Sequence, residues 1–286
     1  MKFEIDCQTH SHYSPDAEKS PLAIFERARS LGLKGVIVTD HNTTSHFLNI
    51  KKVAKATGLM TCLALEITAT YENSDIHILA YGNNMDAKIL ESMLKRIRES
   101  YNKRSKAMIQ KLSKAGIAQI DFEKLLKKSK SACVTKPAIA DAFAHIKKID
   151  QKSALAFFER GGVAYVPYGT WIPTPEAVVK LICKAGGKAV FAHPGDFFGK
   201  RSSLPEEKRE PAFLKLMDIL LGAGLAGIEV WYPSHTKELE NKFKKVAKEN
   251  DLLTTGGSDW HGPKFTPNRE VGQRGISVSQ FKKLIS

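Results

Sequence analysis

Short apolar runs alternate with longer amphipathic stretches over the first 82 residues. Residues 3–8 (FEIDCQ) read as a strand, and residues 35–39 (GVIVT) read as a buried one by their β-branched run. Between them, residues 21–32 carry a helical pattern, with Ser20 placed as N-cap and Pro21 at the first helical position. A second helix is predicted over 45–57, then strands over 59–70 and 76–81. This β-α-β-α rhythm predicts a parallel sheet.

The pattern then changes. From residue 86 to about 160 the chain is rich in Lys, Ala and Leu and reads as nearly all helical, without a convincing strand. Alternation resumes near residue 163. Helices are predicted over 175–185, 210–222 and 237–250, with strands over 188–192, 227–231 and 252–256. Seven strands result. The reading divides the chain into residues 1–85 and 163–286, which form one α/β unit, and residues 86–162, an inserted helical subdomain.

Composition narrows the function classes. A hydrophobic fraction of 42% and a charged fraction of 26% belong to an ordinary globular chain. No apolar run is long enough for a membrane span, and the charged N-terminal residues do not resemble a signal peptide. Cys7, Cys62, Cys133 and Cys183 are widely spaced, which argues against a thiolate zinc site or a disulfide framework and fits a reducing cytoplasm. The formal charge of +14 favours anionic ligands, phosphorylated metabolites and nucleic acid included. A solvated basic surface accounts for the same charge equally well, since much of it lies in lysine-rich helical stretches.

The chemistry-bearing residues recur at strand ends. Gln8 and His10 follow the first strand, and Asp40 and His41 the second. Glu66 lies in the third and His77 in the fourth. His193 follows the 188–192 strand in FAHPG, and Asp259 and His261 follow the last in GGSDWHG. Barrel enzymes assemble their sites at this end of the strands. Taken singly, such a histidine is more often a hydrogen-bonded structural residue, and Asp40 or Asp259 serves equally as a cap. Taken jointly, imidazoles and carboxylates suit divalent metals, and clustered metals suit phosphoester hydrolysis.

The runs Ile5-Asp6-x-x-Thr9-His10-Ser11, Val38-Thr39-Asp40-His41-Asn42, Glu66, Ile76-His77, Ala192-His193-Pro194-Gly195 and Ser258-Asp259-x-His261-Gly262 resemble the PHP (polymerase and histidinol phosphatase) family. The resemblance spans residues 3–82 and 163–275, in the family's order. It implies a distorted seven-stranded (β/α)7 barrel with the helical segment inserted, and two or three Mn, Fe or Zn ions. It also implies hydrolysis of a phosphate ester by metal-activated water. The insert resembles that of the branch acting on nucleoside phosphates and short RNA.

By position, the resemblance gives His10, Glu66 and Asp259 to one metal and extends Glu66 to a second completed by His77 and His193. Asp16, His41 and His261 hold a third. His10, Asp40, Glu66, His193 and Asp259 form the implied catalytic set, with Asp40 orienting a ligand. His235, which follows a strand, and Lys136, Lys200 and Arg201 are candidate phosphate contacts.

Three departures stand out. Gln8 replaces the first histidine of a His-x-His pair, Asp16 follows Pro15 one residue later than usual, and Lys136-Pro137-Ala138 stands where relatives carry Arg-Pro-His. They leave two other readings open: a nuclease acting on short RNA or DNA ends, and a non-catalytic barrel with a partial metal site.

Overall fold

The computed structural model describes residues 3–167, 171–199 and 202–286. The chain runs β1 (Ile5–Thr9), α1 (Pro21–Ser30), β2 (Gly35–Val38), α2 (Phe47–Thr57), β3 (Leu63–Tyr71) and β4 (Ser74–Gly82). Four helices follow: α3 (Ala87–Lys114), α4 (Phe122–Lys128), α5 (Lys136–Lys147) and α6 (Gln151–Ala156). The remainder is α7 (Pro175–Lys184), β5 (Lys188–Phe191), a short 3-10 turn (Pro194–Phe198), α8 (Glu206–Ala223), β6 (Gly227–Trp231), α9 (Lys237–Glu249), β7 (Leu253–Gly256) and α10 (Val278–Ile285). Ser20 accepts the Ala23 N–H ahead of Pro21, and Thr174 accepts the Ala177 N–H ahead of Pro175. Each cap satisfies an amide that would otherwise lack an intrahelical partner.

The seven strands lie in two sheets and not in one continuous closed barrel. β1 and β2 pair in parallel, and the other five run in the order β3-β4-β5-β6-β7. The expectation of a parallel sheet fails at β3–β4–β5, which is antiparallel. The cause is local. Only Glu72 and Asn73 separate β3 from β4, both with positive φ (49° and 58°), so a tight hairpin turn joins them. Parallel neighbours would need a crossover of a dozen or more residues. Isolated bridges join the two sheets, parallel at Gly35–Met60, His41–Glu66 and Thr9–Trp260.

The main core gathers Ile37, Leu65, Ile67, Ile78, Leu79, Val190, Ile228 and Val230 from the strands, against α7, α8 and α10. The long helix α3 changes partners along its length. Leu90, Leu94 and Ile97 belong to the main core, whereas Met108, Ile109 and Leu112 join a separate cluster with Ile139, Phe143 and Phe158. Each such side chain contributes about 1.5–3 kcal/mol by leaving water. Two contacts tie this helical segment to the strand-end loops. Arg98 donates to the Asn42 carbonyl at 2.8 Å, and Lys264 meets Asp141 at 2.7 Å. Among the described residues, no helix is long and apolar enough to cross a membrane.

Candidate metal centre

Glu66 sits in the middle of β3 with no exposed surface. Four imidazoles converge on its carboxylate. His77 Nδ1 and His193 Nε2 lie 2.9 and 3.0 Å from Oε1, while His10 Nε2 and His41 Nδ1 lie 3.1 and 3.4 Å from Oε2. His77 lies within β4, and the other three follow β1, β2 and β5, so strand packing and not local sequence assembles the cluster. Burial pushes the Glu66 carboxyl up, but His77, His41 and the other imidazoles outweigh this and hold it well below the usual carboxylate range.

Asp259 extends the cluster. Its Oδ1 lies 3.1 Å from His10 Nε2 and 3.6 Å from His261 Nδ1. Asp16 stands 3.9 Å from both His41 and His261. The structure thus brings all eight candidate ligands (His10, Asp16, His41, Glu66, His77, His193, Asp259 and His261) into one connected group. Within it, His10–Glu66–Asp259, His41–Glu66–His77 and His10–His41–His261 each gather three ligand atoms within 4.8 Å of one another. His193 (φ 27°) and Asp259 (φ 50°) hold positive-φ backbone, a strained conformation for non-glycine residues that concentrates at functional sites.

Hydrogen bonding sets the tautomers. The single proton of the Ser14 hydroxyl goes to Asp40 Oδ1 at 2.9 Å, and Ser14 Oγ accepts the His41 backbone N–H at 2.9 Å. Its contact with His10 Nδ1, at 3.1 Å, must therefore be donated by the imidazole. His193 Nδ1 likewise faces Asp196 at 3.3 Å, and His261 Nδ1 faces the Asp259 carbonyl at 2.9 Å. In the neutral rings, all three Nε2 atoms then present lone pairs.

For His10 that lone pair points at two carboxylate oxygens, a repulsive arrangement unless positive charge lies between them. Glu66 Oε2, His10 Nε2 and Asp16 Oδ1 are all buried without a hydrogen-bond partner. Burial pushes His10 down, but Asp259 and Glu66 outweigh it and raise the ring to about 10, so without a cation one proton on His10 meets this charge, while the ring stacks on both His41 (4.4 Å) and His261 (4.1 Å). Burial and the neighbouring His10 push His41 down to about 4 and also lower His261. Nitrogen and carboxylate donors so oriented fit divalent cations.

Several supporting residues are not evident from sequence. Asp40 does not touch the His41 ring. It accepts the Ser11 N–H and hydroxyl at 2.7 and 2.6 Å together with the Ser14 hydroxyl, and so steers His10 through Ser14. Arg269 donates to Asp259 Oδ2 at 2.5 Å and to the Tyr232 hydroxyl at 2.9 Å, and that hydroxyl donates to Asp259 Oδ2 at 3.0 Å. Glu229 accepts the His193 N–H at 2.8 Å. Its signal was a lone charge inside the apolar strand GIEVW. The loop residues Asp196 and Arg269 carried none.

The phosphate candidates fare differently. His235 is buried, donates from Nδ1 to the Val230 carbonyl at 2.8 Å and accepts the Gly195 N–H on Nε2 at 3.1 Å. Burial lowers it to about 4. A neutral ring so engaged has no N–H left for an anion, so its task is to shape the turn after His193. Gly195 is required there, since a Cβ would lie 2.5 Å from the His235 ring. Lys136 opens α5 and is paired with Glu159 at 2.7 Å. Lys200 and Arg201 lie outside the described residues. His46 is buried, with Nε2 2.8 Å from the Ala64 carbonyl, and His145 is exposed. Trp231 and Trp260 pack in the cores, and Trp171 lies under Arg96 at 3.7 Å.

The chain belongs to the PHP domain family, whose profile matches residues 6–160. It is similar to the phosphoribosyl 1,2-cyclic phosphate 1,2-diphosphodiesterase of Eggerthella lenta, 26% identical over 94% of this chain and 98% of that protein. The 3′,5′-nucleoside bisphosphate phosphatase of Chromobacterium violaceum is 27% identical over 94% and 90% of the two chains. A 5′-3′ exoribonuclease of Haemophilus influenzae is 28% identical over 92% and 90%. Among solved structures, a candidate metal-dependent phosphoesterase from Bifidobacterium adolescentis superposes with a TM-score of 0.82 at 29% identity, covering 98% of this chain and 94% of that one.

Proposed function

We propose that this protein is a divalent-cation-dependent phosphoesterase that hydrolyses a phosphate ester of a nucleotide or another small phosphorylated metabolite. The observation that carries the reading is the single buried Glu66 carboxylate shared by four imidazoles carried in or just after four different strands. Its relatives named as a phosphatase, a diphosphodiesterase and an exoribonuclease all act on phosphoesters. We read the two bridged sheets as one distorted seven-stranded barrel and residues 86–162 as a helical subdomain inserted into it. The separate apolar cluster around Phe143 supports the second point. The four free cysteines support a reducing, cytoplasmic setting.

Two or three Mn, Fe or Zn ions would be held by His10, Asp16, His41, Glu66, His77, His193, Asp259 and His261. Such ions supply Lewis acidity, which lowers the pKa of an attacking water and offsets charge on phosphoryl oxygens. The chain's own part is orientation. Asp40 acts through Ser14 to keep the His10 proton on Nδ1, Asp196 does the same for His193, and Arg269 with Tyr232 takes up one oxygen of Asp259 so that the other faces the centre. Lys136, Lys200 and Arg201 remain candidate contacts for the substrate phosphate.

The test is phosphate release from a panel of nucleoside monophosphates and 3′,5′-bisphosphates, with and without chelator. His193→Ala should lower kcat/KM at least about 100-fold, the upper end of what loss of a ligand's support costs. Unchanged activity in this variant would end the assignment. A nuclease reading is favoured by the formal charge of +14 and by the exoribonuclease relatives. Faster turnover of a short 5′-phosphorylated RNA than of any mononucleotide would select it.

A further inference from the structure

Gln8 is the residue of the centre that the reading above leaves without a task. Its side chain is buried, and neither amide atom has a hydrogen-bond partner. An unpartnered buried amide group costs about 1–3 kcal/mol. The position is tightly held. The Gln8 carbonyl accepts the Asp259 N–H at 2.8 Å, and Gly257 packs so close that a Cβ there would lie 2.5 Å from the Gln8 Cβ. His10 stands two residues further on, just past a register irregularity of β1 between Asp6 and Thr9. Its Nε2 is 3.1 Å from Glu66 Oε2 and 3.1 Å from Asp259 Oδ1.

The donor chemistry of this corner differs from the rest. His10, Glu66 and Asp259 offer one nitrogen and two oxygens, and the unpartnered Gln8 amide oxygen would add a third oxygen. The neighbouring groups are richer in nitrogen: His41, Glu66 and His77 give two of three, and His10, His41 and His261 give three of three. Imidazole suits zinc, whereas carboxylate and carbonyl oxygens suit magnesium and manganese. A neutral amide also leaves the corner with the charge of two carboxylates and adds none.

We infer that Gln8 is the fourth ligand of an oxygen-dominated cation site, the least zinc-selective corner of the cluster and the one that Mn2+ or Mg2+ occupies. The centre is then heterometallic, with zinc or iron at the imidazole-rich positions. This rests on the cation centre proposed above. Zinc binds most nitrogen and oxygen sites more tightly than manganese, so the informative quantity is the ratio of the two affinities at each site.

The experiment is a Mn2+ titration of the chelator-stripped full chain, followed by electron paramagnetic resonance, with Zn2+ as competitor and metal content measured in parallel. In the wild type, one Mn2+ should resist displacement by zinc at least tenfold better than the others. Gln8→His should raise the zinc-to-manganese affinity ratio at that site tenfold or more. Gln8→Met, which keeps length but removes the oxygen, should lose that Mn2+ and retain the zinc stoichiometry of the remaining sites. Should the methionine variant not fold, Gln8→Glu carries the same test and should tighten Mn2+ tenfold or more. An affinity ratio indifferent to these changes would overturn the inference, leaving an amide that meets only buried water. A wild-type chain that binds no divalent cation at all would instead overturn the metal-centre reading itself.

Discussion

Replacing Arg269 by methionine tests how Asp259 is held. The guanidinium and carboxylate are mostly buried, with 18% and 10% of their side chains exposed, so screening is modest. At an effective dielectric of about 20, charge centres some 4 Å apart interact by about 4 kcal/mol. Removing one partner of a buried pair costs about 3–5 kcal/mol, because the other is left uncompensated. The lost bonds to the Asp259 carbonyl and the Tyr232 hydroxyl act in the same direction. At roughly 2–4 °C per kcal/mol for a chain of this size, Arg269→Met should lower Tm by about 6–20 °C without added metal. Saturating Mn2+ should recover part of the loss, since a ligand at 100 times its Kd contributes about 2.7 kcal/mol. The assay is calorimetry of both proteins with and without Mn2+. A Tm within about 2 °C of wild type would refute the argument that this pair carries Asp259.

Three further outcomes are expected. Asp40→Asn should lower kcat/KM by about 10–100-fold and reduce bound metal, because three donors face this carboxylate and an amide offers one acceptor oxygen to them; full metal content with full activity would contradict it. Burial carries the Asp6 carboxyl up to about 6 from its ordinary 3.8 despite the backbone N–H groups bonded to it. Between those values the folded state binds the extra proton, so the stabilisation is complete below about pH 4, is lost as pH rises through about 6, and amounts to about 3 kcal/mol. Asp6→Asn should remove that slope from urea unfolding measured between pH 4 and 7, whatever it does to absolute stability. Only Cys183 among the four free cysteines is exposed, so an aromatic disulfide reagent should titrate one thiol in the native chain and four in denaturant.

Much of the site was legible because metal-competent side chains punctuate an otherwise apolar strand pattern, and a charge or imidazole at a strand end is visible without any knowledge of packing. Glu66 and His77, inside β3 and β4, are of the first kind, and His193, just past β5, is of the second. Their supports are of neither kind. Ser14, Asp196, Tyr232 and Arg269 reach their partners through loops whose paths depend on tertiary contacts, and serine or arginine in a loop has no distinguishing period. His235 shows the converse, since its place after a strand suggested a substrate contact, whereas burial under Gly195 turns it inward.

The fold divides similarly. The cap at Ser20 and the β-branched runs placed most elements within a few residues. The parallel reading of β3 and β4 overlooked a rule already in the sequence, that so short a gap admits only a hairpin. The C-terminal helix α10 was missed although Ser277 and Gln280 form a capping box, because eight residues give too short a period to stand out.

The central claim is a cation centre built around Glu66. Anomalous diffraction from crystals grown with Mn2+ tests it most directly. The account predicts peaks among Glu66, His10, His41, His77, His193 and Asp259, with the imidazole Nε2 atoms of His10 and His193 turned toward them. Crystals whose anomalous density is confined to the protein surface, or whose His10 Nε2 donates a proton to Glu66 with no cation nearby, would contradict it.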